Sequence, residues 1–419
     1  MTILSSPFAL HKQNFPAVVG HRGFKGRFPE NTLTAFDAGV TVGRADIIEL
    51  DVQLASDDTV VVSHDPNTGR CFGLPGLDIQ KTPYKGVLDI LVSTGKLTSS
   101  YSSNAQALKQ ESARSSGKES NKDNGNTTTT TNAKKPSDAE LEAFGMPTFY
   151  AAARRFVADE RYKHAKLMVD VKISNTPGIV RRIVSVLEQV LTDVIADGTD
   201  TVNFQDDAKT FWQTHAVLGI WRLDVLEEAL AGENHGIPLC FIGVSRKLAR
   251  TFMDRAAPRP ARESTKEQES SVATFPTDET APLLLLQSDS NNSNAQGSHQ
   301  INPLKAISLH VSALVSSAGA KLLRDAQARG VRVYVWTVNR EADMKWAIAA
   351  DLAGVITDFP DRFANVRDQV YENGGAGVVA LKEPWEYVSW TEWNITNVLR
   401  YYIIQALFSV IIYVKTGII

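Results

Sequence analysis

The stretch IIELDVQLASDDTVVVSHD, residues 47–65, decides the fold. It opens on a short apolar run, Ile47–Val52, that carries two carboxylates two positions apart, Glu49 and Asp51. In a strand, residues i and i+2 share a face, so both carboxylates point one way while Ile48, Leu50 and Val52 point the other. The apolar side suits a layer of helices. A break at ASDDT then leads into VVVS, Val60–Ser63, which reads as a local hairpin partner and ends beside His64.

Upstream, VVGHRGFKGRFPENTLTAFDAG (18–39) supplies a first strand, Ala17–Gly20, a loop and a helical pattern over Thr32–Val42. Downstream, apolar runs recur at Leu167–Val171, Val217–Trp221, Leu239–Val244, Ala306–Leu309, Val331–Trp336 and Gly354–Thr357. Helical patterns separate most of them, as at Ile179–Ala196, Ser316–Arg329 and Ala342–Ala349. Alternating β and α elements imply a parallel sheet with helices outside. With Val60–Ser63 set aside as the hairpin partner, eight parallel strands remain, the number that closes a (β/α)8 TIM barrel. No GxGxxG or GxxxxGK[ST] loop stands at a strand–helix junction, which argues against the doubly wound alternative.

Two stretches have the composition of disordered inserts, about 93–137, with five consecutive threonines at Thr127–Thr131, and about 257–302. Without them and the tail, roughly 280 residues remain, against about 250 for a typical barrel. The expected division is a barrel domain over 1–368 and a linker with an anchoring segment over 369–419. The tail places Trp385, Trp390 and Trp393 before an uncharged apolar stretch, Tyr401–Val414, flanked by Arg400 and Lys415. Tryptophans at an interface and cations that snorkel at both ends suit a membrane anchor, spanning or re-entrant. The competing reading is an amphipathic helix docked on the barrel.

A net charge of -3 and the lack of a basic stripe argue against nucleic-acid binding. Two distant cysteines, Cys71 and Cys240, argue against a disulfide scaffold or structural zinc. The first residues lack the pattern of a cleaved secretory signal. A reducing compartment fits, and no protein partner is expected.

The titratable groups gather at strand ends. Glu49 and Asp51 on the inner face of a buried strand need a cation or a basic partner such as an arginine. Oxygen ligands suit Ca2+ or Mg2+, with Mn2+ also compatible. Asp170, in LMVDVK, is a third candidate ligand, and Lys172 shares its face. His21 and His64 follow strands and suit a general acid–base pair. Arg22 offers a fork of donors for a phosphate. Glu30, in PENT, is placed to orient a histidine or to anchor the loop near the metal.

These residues resemble the glycerophosphodiester phosphodiesterases. The motifs are HRG (His21–Gly23), PENT (Pro29–Thr32), ELDV (Glu49–Val52), HD (His64–Asp65), MPTF (Met146–Phe149), VDVK (Val169–Lys172), WTVN (Trp336–Asn339) and ITDFP (Ile356–Pro360). The resemblance implies a (β/α)8 barrel with a small insertion after the second strand and one divalent cation on Glu49, Asp51 and Asp170. It implies His21 and His64 as acid and base, and Arg22 and Lys172 on the phosphate. It places Trp336 at the glycerol or lipid side of the mouth, where a core aromatic is the alternative. The family usually has Glu in the third ligand strand. Asp170, KLMVDVK, LGIW, VYVWTVN and the apolar tail are similar to the fungal phosphatidylglycerol phospholipases C. The implied activity is cleavage of phosphatidylglycerol at an intracellular membrane, with the barrel facing the cytosol. Two alternatives stand beside it: a glycerophosphodiesterase or lysophospholipase D, and a tail-anchored lipid-binding protein without turnover.

Overall fold

The computed structural model describes residues 16–73, 76–93, 136–198, 210–257, 303–372 and Ile403. Among the described residues, nine strands form one sheet: β1 Ala17–Gly20, β2 Ile47–Leu54, β3 Val60–Val62, β4 Lys166–Val171, β5 Ala216–Ile220, β6 Leu239–Gly243, β7 Leu304–His310, β8 Arg332–Trp336 and β9 Gly354–Thr357. Eight of them are parallel. β1 pairs with β9 in the register Val18↔Val355 and with β2 in the register Val19↔Ile47, so the parallel sheet closes into a barrel. β3 lies antiparallel on β2, with Val52 opposite Val62, as the hairpin reading required.

Each parallel strand is followed by a helix: α1 Leu33–Thr41, α2 Phe149–Ala158, α3 Ile179–Ala196, α4 Leu223–Glu228, α5 Arg246–Ala256, α6 Ser317–Ala328, α7 Glu341–Ala349 and α8 Pro360–Glu372. Their starts follow local chemistry. The Thr32 hydroxyl accepts from the Ala35 amide, Thr148 from Ala151 and Ser245 from Leu248, satisfying amides that have no partner within the helix. In α3, Ile179, Val180, Ile183, Val184, Leu187, Val190, Leu191 and Val194 are buried. That i, i+3, i+4 spacing makes one apolar stripe, which packs on the sheet as a barrel helix must.

The side chains alternate across the barrel wall. Ile48, Leu50 and Val52 join the large outer core beneath the helices. Val19, Ile47, Met168, Cys240 and Tyr334 fill the barrel interior. A satellite core of Ala55, Val61, Phe72, Ile79, Leu88, Leu91 and Met146 lies under the segment that follows β2. It makes the insertion after the second strand a packed unit with its own apolar centre.

The expected inserts, 93–137 and 257–302, lie largely outside the described residues, as does the tail beyond Glu372 apart from Ile403. α8 runs to Glu372, four residues past the expected domain boundary at 368. Among the described residues, no helix is long and apolar enough to cross a membrane.

Candidate active site

The C-terminal ends of the strands surround a cavity of about 300 Å3. One wall is polar and holds His21, Arg22, Glu49, Asp51, His64, Asp170 and Lys172. The other is apolar and holds Trp221, Ile242, Trp336 and Ile356. Catalytic groups of TIM barrels gather at this end.

Glu49 and Asp51 come from β2 and Asp170 from β4, where Asp51 stands directly opposite Asp170 in the ladder. One oxygen from each of the three carboxylates lies within 4.8 Å of the others. All three residues are buried. Burial, reinforced by the charges of Asp51 and Asp170, pushes the Glu49 carboxyl well above the usual range. Burial also raises Asp170, partly opposed by Lys172. At Asp51 burial is outweighed by Lys172 and Arg22, which hold its carboxyl well below the usual range. The local cations therefore favour the ionised form of Asp51, while burial and crowding disfavour charge on Glu49 and Asp170 in the absence of a further cation. Three crowded oxygen donors whose charge the local cations do not fully meet fit a hard divalent cation.

Arg22 and Lys172 brace this cluster. The Arg22 amide donates to Glu49 Oε2 at 2.8 Å, and its guanidinium meets Glu30 Oε1 at 2.6 Å and Asp51 Oδ2 at 3.1 Å. That arrangement needs a positive φ of 52° at Arg22, a left-handed conformation uncommon for a residue with a side chain. Gly23 follows at φ 81°, where a Cβ would meet the Ala35 carbonyl at 2.5 Å. The HRG motif is thus a tight turn pressed against α1. Lys172 Nζ lies 3.1 Å from both Asp51 Oδ1 and Asp170 Oδ2.

Each histidine is held by an aspartate. His21 Nδ1 is 2.6 Å from Asp358 Oδ1, and His64 Nδ1 is 2.7 Å from Asp65 Oδ1. Burial raises Asp358, but His21, Lys25 and Asn339 together outweigh it and hold the carboxyl below the usual range; at Asp65 the His64 hydrogen bond alone exceeds the effect of burial and holds it low. Ionised carboxylates only accept, so each histidine donates from Nδ1 and keeps Nε2 as its basic atom. Burial, then the charge of Arg22, lowers His21 to about 4, so its ring is neutral at pH 7.

Most members of the expected site come together in this one cavity. Glu30 does not line the cavity and contacts neither histidine; of its two expected roles it takes the other, anchoring the loop beside the carboxylates through Arg22. It accepts from Arg22 Nη1 and from Arg70 Nη1 and Nη2, the last two at 2.7 Å. Arg22 is likewise committed to Glu30 and Asp51, rather than presenting a free fork.

The sequence profile of the Glycerophosphoryl diester phosphodiesterase family matches residues 21–362, most of the chain and both histidines. The chain belongs to this family. It is 48% identical over 60 residues to a glycerophosphodiester phosphodiesterase of Bacillus altitudinis, spanning 14% of this chain and 24% of that protein. It is 40% identical over 101 residues to a lysophospholipase D of Mus musculus, spanning 22% of this chain and 30% of that one. These matches thus span between about a quarter and a third of the relatives' lengths. An Oleispira antarctica phosphodiesterase, solved with the product sn-glycerol-3-phosphate, shares 16% identity at a TM-score of 0.50, covering 84% of this chain and 97% of that one. That likeness speaks for the fold.

Within this barrel, four further side chains position the site. Asp358 lies in the ITDFP motif, and Asn339 in WTVN donates to Asp358 Oδ2 at 2.8 Å. Asn31 of PENT donates to Asp51 Oδ2 at 2.8 Å. Trp221 Nε1 donates to Asp170 Oδ1 at 2.7 Å, and its ring meets Trp336 edge-on at 5.8 Å. The motifs contained these residues, but their roles depend on contacts between strands that sequence spacing does not encode.

Proposed function

We infer that this phosphodiesterase cleaves phosphatidylglycerol as a phospholipase C, yielding diacylglycerol and glycerophosphate through a cyclic phosphate. The observation that carries the chemistry is the pair of aspartate-held histidines lining the same cavity as the three clustered carboxylates. A divalent cation held by Glu49, Asp51 and Asp170 would supply charge neutralisation on the phosphoryl oxygens.

The head glycerol carries a 2-hydroxyl next to the phosphodiester. His21, neutral at pH 7, accepts that proton at Nε2 as the oxygen attacks phosphorus. His64, as the general acid, gives a proton from Nε2 to the departing diacylglycerol oxygen. Water then opens the cyclic phosphate, with the proton flow reversed. Asp358 and Asp65 stabilise the imidazolium that forms on each ring. Using the substrate's own hydroxyl makes the first attack intramolecular.

The lipid part of the reading is supported by the apolar wall of Trp221, Ile242, Trp336 and Ile356, and by the composition of the tail. In this reading the tail holds the protein on an intracellular membrane with the barrel in the cytosol, and the partners are the phospholipid and the bilayer surface. α8 ends at the barrel end opposite the cavity, where Arg367 reaches the Pro16 carbonyl. The 28 residues from 373 to 400 reach at most about 100 Å when extended, which is enough to turn the mouth toward the bilayer.

A lysophospholipase D reading is favoured by the local identity to the mouse enzyme. A hydrolysis panel with product identification separates the two. Diacylglycerol from phosphatidylglycerol, with little from phosphatidylcholine, is the expected result. Release of a free head-group alcohol with phosphate left on the lipid would overturn it.

A further inference from the structure

Opposite the active site, the barrel holds charge that nothing described there answers. Lys166 and Arg332 are the first residues of β4 and β8. In β4, Met168 and Asp170 face the barrel axis, and in β8, Tyr334 and Trp336 do. Lys166 and Arg332 share those alternating positions, so both face inward at the N-terminal end. In the closed strand order β4 and β8 stand four places apart, half of the eight-stranded circuit. The two cations therefore face each other across the lower mouth. The layer above them is apolar and includes Met168 and Tyr334, two positions further along the same strands.

Arg332 Nη1 is shielded from solvent and has no hydrogen-bond partner. Among the described residues, neither Arg332 nor Lys166 has an ion-pair partner. Burial, and then the Arg332 charge, lowers Lys166 to about 8, and burial depresses Arg332 as well. Asp46, an acid at this end, is already engaged by Arg367 Nη1 and by the Val18 amide at 2.8 Å. The sixteen residues through Pro16 contain no Asp or Glu. Two like charges facing each other, one with a buried donor left unmade, are costly without a counter-anion.

We propose that this end of the barrel is an oxyanion site, in which Lys166 and Arg332 together hold a phosphate or a carboxylate. Arginine supplies a planar fork and lysine a point charge, a combination suited to a compact oxyanion. Two sources share that chemistry. One is free phosphate or a phosphomonoester. The other is a carboxylate of this chain beyond Glu372, where Glu383, Glu386 and Glu392 occur.

The test titrates the full-length protein with inorganic phosphate by calorimetry. Wild type is expected to show a site that weakens at least tenfold in Lys166→Gln/Arg332→Gln and persists in Lys172→Met, which disables phosphate binding in the active site. Lys166→Gln alone serves if the double variant does not fold. If the chain's own carboxylate fills the site, wild type lacks it and Glu383→Gln/Glu386→Gln/Glu392→Gln gains it, again only with Lys166 and Arg332 intact. Phosphate binding that is identical with and without the two cations, or absent from wild type and the triple variant alike, overturns the proposal.

Discussion

Asp358 holds Nδ1 of His21 at 2.6 Å across 337 positions of sequence. The contact exists because β1 pairs with β9, which brings the residues just after these two strands side by side. Asp358 is itself fixed by Asn339, whose amide donates to Oδ2 and whose Oδ1 accepts from the Asp358 amide at 2.9 Å.

Asp358→Asn removes the charge that fixes the His21 tautomer. Steady-state kinetics should show kcat lowered by about 10²–10⁴, the range for disabling a general acid or base, with KM changed little. A loss confined to KM would instead mark Asp358 as a binding residue.

Arg70 joins the two halves of the site. Its Nε donates to Asp65 Oδ2 at 2.6 Å while its two Nη atoms hold Glu30, which in turn holds Arg22. Arg70 is half exposed, so Arg70→Met should leave the melting temperature nearly unchanged. Activity should fall by about 10–100-fold, as outer-shell changes do. A wild-type rate would show that His64 needs no such brace.

Glu49→Gln relieves the crowded carboxylates of one charge. Without added cation the variant should melt at or above the wild-type temperature, because the neutral form of Glu49 is already favoured by burial and by its acidic neighbours. The rise in melting temperature produced by Mg2+, Ca2+ or Mn2+ in wild type should shrink sharply. Chelation should abolish wild-type turnover, and a chelator-resistant enzyme would remove the cation from the reaction.

His21 links stability to pH. Its ordinary value is 6.5 and burial lowers it to about 4, so between those values the unfolded chain binds more protons. Stability attributable to this residue is complete above about 6.5 and falls as pH drops toward about 4, by up to about 1.4 kcal/mol per unit. Glu49, raised by burial, works in the opposite sense and loses its contribution as pH rises through its elevated value. Comparing His21→Gln with wild type by urea denaturation without added cation isolates the first effect. The variant should show a shallower decline from pH 6.5 to 4, and parallel curves would contradict the assignment.

The strand pattern was legible because it is local. Ile47–Val52 declares one carboxylate face and one apolar face by alternation alone, and the break at ASDDT before Val60 signals the hairpin. The carboxylates of β2 and β4 were legible as a set because alternation sends them inward on both strands. Which of its two expected roles Glu30 takes was not legible, for the opposite reason. Its partner Arg70 lies in the insertion after β3, and nothing in PENT points there.

By itself, then, the sequence determined which residues face the barrel axis and which chemical groups stand at strand ends, since both follow from two-residue alternation and residue type. Only the tertiary structure decided which groups meet. Barrel closure joined His21 to Asp358 and set Lys166 across from Arg332. The insertion tied Glu30 to Arg70 and Asp65. Such pairings depend on where the ring of strands closes and how its loops pack, and that geometry is set by the whole core rather than by any local run of residues.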